Sequence, residues 1–96
     1  MKIYISGPMT GLPEFNYPAF NAAAKHLRDQ GHDVVNPAEL DTDTTKEWHH
    51  YMRKDIKELV DCDHVIVLPG WEKSRGATLE VFIATQLGMR VESFQL

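Results

Sequence analysis

The sequence has a single cysteine, Cys62, so no intrachain disulfide can staple the fold. Cys62 stands between Asp61 and Asp63, just ahead of an apolar stretch, where a reduced thiol is the plain reading. No run approaches the roughly 18 apolar residues of a membrane span, and the N-terminus lacks the charged-then-apolar pattern of a signal peptide. There is no internal repeat, no low-complexity segment and no interdomain linker. Basic residues are outnumbered, 10 against 14 acidic, and the net charge of −4 speaks against duplex nucleic acid as a partner. A cytoplasmic protein free of membrane and duplex is expected.

Several chemical signatures are missing too. The five histidines are scattered, and His49 and His50, being adjacent, cannot share one helix face. No spacing of the HExxH kind occurs, so no metal site is expected. Neither a Walker A loop nor GxGxxG is present, and no cofactor is expected. Ser6-Gly7 stands where a receiver domain would carry its acidic cluster.

What remains is a chain of 96 residues, 43% hydrophobic and 25% charged, which fits one globular domain over residues 1–96. So small a core gains from extra buried surface, and a homo-oligomer, dimer or higher, is expected.

Lys2–Ser6 alternates and is β-branched or aromatic at its centre, which predicts a first strand. Gly7–Pro13 holds two glycines and two prolines and reads as a loop. Asn16 is placed to N-cap a first helix with Pro18 in its first turn. Phe20, Ala23, Ala24 and Leu27 follow at helical spacing, and Gly31 ends the helix. Asp33–Asn36 predicts a short strand stopped by Pro37. Residues 38–46 are polar and predict a surface loop or flap. Trp48, Tyr51, Met52, Ile56, Leu59 and Val60 mark a second helix. His64–Leu68 is apolar enough for a central strand buried on both faces. A third helix is expected from Ala77 to Leu87, closed by Gly88, and Arg90–Phe94 predicts the last strand.

The order β-α-β-α-β-α-β predicts a flavodoxin-like three-layer α/β sandwich with a parallel sheet of four or five strands, ordered 2-1-3-4. Ligands of such sheets bind beyond the carboxyl ends of the strands, where the strand order reverses. Here that point lies between strands one and three, and residues 7–13 and 69–76, which follow them, are the chain's richest in glycine and proline.

Glu80 heads the candidates for chemistry. It is either a solvated helix glutamate or, given Leu79, Val81, Phe82 and Ile83 around it, a carboxylate held among apolar groups for a purpose. Asp55, on the second helix, is either an exposed partner of nearby bases or a functional acid. Asp63 reads better as a cap. Ser74 and Arg75 precede the third helix, where a hydroxyl, a guanidinium and free N–H groups form an anion site, unless Ser74 simply caps. Gly7, Gly11, Gly70 and Gly76 permit close approach of a ligand or merely make turns. Tyr4 is a core tyrosine or a site residue. Trp48 and Trp71 either stack a base or pack.

Two stretches carry a family resemblance. Tyr4-Ile-Ser-Gly7-Pro8-Met9-Thr-Gly11 resembles the N-terminal signature of the nucleoside 2-deoxyribosyltransferases. Asp55, the Asp63–Leu68 segment and Ser74-Arg-Gly-Ala-Thr-Leu-Glu80 resemble that family's second signature, and that of the 2′-deoxynucleoside 5′-phosphate N-hydrolases of the same superfamily. The likeness covers nearly the whole chain and is nearest to a small branch found often in phages and prophages.

The resemblance implies a nucleophile at Glu80, an aspartate that positions substrate and assists proton transfer at Asp55, and an active-site tyrosine at Tyr4. It puts a phosphate-side serine at Ser74, with Arg75 and Gly76 beside it, and a sugar and base pocket along Gly7, Pro8, Met9 and Gly11. The implied partner is a small-molecule nucleoside or nucleotide. The implied reaction is N-glycosidic cleavage or base transfer through a covalent glycosyl-glutamate. Two departures stand out. Only 16 residues follow Glu80, whereas family members usually continue and a neighbouring subunit's C-terminal region completes the site. The 38–46 loop is the candidate replacement. His64 also opens the central strand where an apolar residue is usual. The competing readings are a non-catalytic nucleotide-binding module with the same pocket, a regulatory domain with a protein partner, and cleavage of NAD-like dinucleotides.

Overall fold

A computed structural model of the chain describes residues 1–40, 43 and 45–95. Four strands, β1 (Lys2–Ser6), β2 (Asp33–Val35), β3 (His64–Val67) and β4 (Arg90–Ser93), form one sheet in the order β2-β1-β3-β4. Every pairing is parallel, and the register sets Tyr4 beside Val35 on one side and Val65 on the other. The helices are α1 (Tyr17–Asp29), α2 (Pro37–Leu40), α3 (Trp48–Leu59) and α4 (Arg75–Gln86). Short 3-10 turns occupy Pro13–Asn16 and Trp71–Lys73. This is the three-layer α/β sandwich expected, with four strands among the described residues.

The pleat of β1 divides the core. Successive strand residues point to opposite faces. Ile3 and Ile5 therefore pack with Phe20, Ala23, Ala24 and Leu27 of α1. Tyr4 packs on the other face with Leu59 of α3 and Ala84 of α4. Burial on both sides explains why β3 is buried at all four positions and reads as an unbroken apolar run after His64.

Local chemistry changes several boundaries. Asn16 does stand at the N-cap position of α1, but its backbone is left-handed and its side chain makes no cap. Its Nδ2 donates instead to the Pro8 carbonyl at 3.0 Å, tying the first loop to the start of the helix. Residues 38–46 are not all loop, because Pro37–Leu40 forms the single turn α2 with Pro37 and Ala38 buried. Asp41, Thr42 and Thr44 of that predicted loop lie outside the described residues. The last helix begins at Arg75, two residues earlier than its apolar pattern suggests. Glu80 therefore sits in the second turn of α4 rather than near its first. The helix ends at Gln86, and β4 stops at Ser93.

Among the described residues no helix is long and apolar enough to cross a membrane. The Cys62 thiol is buried, donates to the Glu58 carbonyl, and is pushed up to about 11, chiefly by burial. A thiol so placed stays protonated and inert.

Candidate active site

The carboxyl ends of β1 and β3 open into a cleft of about 840 Å³. The loop after β1 forms one wall through Gly7, Pro8 and Met9, and the segment 69–76 after β3 forms another. α3 contributes Trp48, Met52 and Asp55, and α4 contributes Ala77 and Glu80. The switch point named by the strand order is thus where the cavity lies.

Glu80 belongs to the buried stripe of α4, which runs Ala77, Glu80, Ala84. The two alanines are small, so the helix lies close over the sheet and a long carboxylate side chain reaches across. Its Oε2 accepts from the Tyr4 hydroxyl at 2.6 Å. Its Oε1 accepts from the Ser6 hydroxyl at 2.7 Å. Both distances are in the range of charge-assisted O–H···O bonds.

Glu80 is only 4% exposed. Burial disfavours the charged form and pushes its carboxyl up to about 7, against an ordinary 4.5; the two hydroxyl bonds pull the other way and lose. The Tyr4 phenol is held well above its usual range by burial first, then by the charges of Glu80 and Asp55, so it remains a donor. Tyr4 is fully buried and stands behind Glu80, not in the cleft wall.

Most of the positions singled out in the sequence line this cleft, while Gly11, Trp71 and Asp63 do not. Gly7, Pro8, Met9, Asp55, Ser74, Arg75, Gly76 and Glu80 all line the cleft. Gly11 does not; it is an exposed turn glycine with φ of 82°. Gly7 is required by packing, since a Cβ there would lie 2.9 Å from the Cβ of Leu68. Ser74 caps α4 by accepting from the Ala77 N–H at 3.1 Å, which leaves its O–H as a donor. The Arg75 guanidinium lies 3.8 Å over the Trp48 ring. Trp48 therefore stands at the cleft, whereas Trp71 packs beside the Tyr4 side of the core. Asp63 accepts from the Lys2 N–H at the opposite end of the sheet, and His64, at that same end, lies 3.2 Å from Glu92.

Sequence reasoning passed over Ser6 and the aromatic wall of Phe15, Tyr17 and Tyr51. Period two was the signal for Ser6, because residues two apart in a strand share a face and Tyr4 was already a candidate. The aromatics carried no such signal, since Tyr51 of α3 joins Phe15 and Tyr17 from a distant segment.

The floor of the cleft is thus acidic, with Glu80 and Asp55, while the rim carries Lys73 and Arg75. A buried carboxylate with fixed orientation can attack an electrophilic carbon or stabilise a positive one. No curated protein matches the chain. Among solved structures it resembles the 2-deoxyribosyltransferase of Bacillus psychrosaccharolyticus, with a TM-score of 0.76 and 23% identity over 98% of this chain and 72% of that one. That likeness concerns the fold. A family model described as "Domain of unknown function (DUF4406)" matches residues 1–93, and the chain belongs to that family.

Proposed function

We propose that this protein cleaves the N-glycosidic bond of a 2′-deoxynucleoside or its 5′-monophosphate, and passes the sugar to water or to a second base. The observation that carries this reading is the buried Glu80 carboxylate, clamped by Tyr4 and Ser6 at the floor of an aromatic-walled cleft. The shared fold with a 2-deoxyribosyltransferase supports it.

In this mechanism a Glu80 oxygen forms a bond to C1′ as the C1′–N bond breaks. The electron pair goes to the base nitrogen, which takes a proton delivered at Asp55. The developing oxocarbenium charge is stabilised by the Glu80 carboxylate below it. Water or an acceptor base then attacks C1′, gives its proton back to Asp55, and frees the Glu80 carboxylate. Trp48 and the other wall aromatics offer stacking faces to the base. Lys73, Ser74 and Arg75 offer donors to a 5′-phosphate at the rim.

A homo-oligomer is part of this reading. Phe82 of α4 and Leu87, which follows it, are 62% and 57% exposed, and Val60 after α3 is 50% exposed, so apolar side chains are available for contact with a second copy. Light scattering on the purified protein tests it; a monomer would remove that part.

The test of function is chromatography of free base released from deoxynucleosides and their monophosphates, with and without an acceptor base. Base release that disappears in Glu80→Ala supports the reading. Ligand binding without release would make the protein a binding module.

A further inference from the structure

Ser6 ends β1, is fully buried, and donates to Glu80 Oε1 at 2.7 Å. We infer that Ser6 is a positioning residue for the reaction, fixing the rotation of the Glu80 carboxylate that faces the cleft. The inference rests on the reading of Glu80 as nucleophile.

The terminal torsion of a glutamate is soft and roughly two-fold, so a single donor leaves the carboxylate plane free to swing. Here two donors from the same face of one strand hold the two oxygens separately: Tyr4 takes Oε2 and Ser6 takes Oε1. Among the described residues these hydroxyls are the donors seen on Glu80.

The frame behind Ser6 is rigid. Its carbonyl accepts from the Leu68 N–H at 2.8 Å, and the register pairs it with Val67. Gly7 follows directly and packs against Leu68 too closely for any side chain. Ser6 is absent from the cleft wall, so it acts on the reaction through Glu80 and not on substrate. A hydroxyl buried at a strand end is unfavourable unless it is bonded, and an aliphatic residue would fill the space without that demand.

The groups facing Glu80 are Tyr4 and Ser6 from β1 and Asp55 from α3, with Lys73 and Arg75 at the outer rim. Removing Ser6 leaves one buried carboxylate oxygen without its donor. A charge-assisted bond of this kind is worth about tenfold or more in an equilibrium or rate. The carboxylate then ionises at higher pH.

The experiment compares pH profiles of base release for wild type, Ser6→Ala and Ser6→Thr. In Ser6→Ala, kcat falls about tenfold or more with KM changed less than about twofold, and the acidic limb moves up by about one unit. Ser6→Thr, which keeps the hydroxyl on a side chain suited to a strand, restores the limb. If Ser6→Ala fails to fold by circular dichroism, Ser6→Cys, with nearly the same volume and a weak S–H donor, carries the same expectation. Release that needs Glu80 but is unmoved in limb and kcat by loss of the hydroxyl overturns the Ser6 role alone. A wild-type protein that releases no base overturns both readings.

Discussion

Tyr4 and Glu80 stand 76 positions apart in the chain and meet through a buried hydrogen bond of 2.6 Å. Burial first, and then the charges of Glu80 and Asp55, keep the phenol from ionising, so it stays a donor and the glutamate takes the charge. Tyr4→Phe removes the donor and leaves the ring. The expected outcome is a fall in kcat of about tenfold and an acidic limb moved to higher pH. A profile matching wild type would show that this bond is structural only.

Glu80 links catalysis to stability. Its carboxyl lies at about 7 in the fold against an ordinary 4.5, so the folded chain holds a proton that the unfolded chain releases between those values. Its contribution is whole below the lower value and is lost as pH rises through about 7. The difference is on the order of 3 kcal/mol. Glu80→Gln carries no charge, so it melts several degrees above wild type at about pH 8, with the gap closing toward about pH 4.5. A constant gap across that range would contradict the burial argument.

The same ionisation governs rate. Attack requires the carboxylate, so the limb of base release set by Glu80 rises as pH passes upward through about 7. A profile flat from about pH 5 to about pH 8 would mean that another group is the nucleophile.

Asp55 lines the cleft from α3, and its field reaches Tyr4. Asp55→Asn keeps the shape and loses the acid. The expected loss in kcat is about 100-fold or more for substrates with a poor leaving base. It is smaller for a nucleoside whose base leaves unassisted. Equal losses for both would place Asp55 in binding instead of proton transfer.

Ser74 has a structural role and a proposed one. Its cap on α4 is worth about 1 kcal/mol, which Ser74→Ala forfeits in a thermal melt. In kinetics the same variant raises KM for a monophosphate more than for the nucleoside. Equal effects on both substrates would leave only the cap.

Much of the frame was legible because the patterns were local. The β1 alternation, the α3 stripe and the apolar β3 each occupy one continuous segment. The strand order and the position of the cleft followed from the β-α alternation. The misplaced features depend on distant partners. α2 is one turn long, too short to show a period, and is held by burial of Pro37 and Ala38. Gly76 read as loop, yet it lies inside α4, where a Cβ would sit 3.1 Å from the Met52 Sδ of α3. Asn16 had the right chemistry for a cap and spends it on Pro8. Glu80 stood out among apolar neighbours, but its second clamp, Ser6, did not, because a serine at a strand end looks like the start of a loop.

The measurement that reaches the central claim most directly is mass spectrometry of protein quenched during turnover with a 2′-deoxynucleoside. The account predicts that the peptide containing Glu80 gains the mass of one deoxyribosyl group, and that Glu80→Gln gains none. Rapid base release with no adduct on that peptide, or an adduct on another residue, would contradict it.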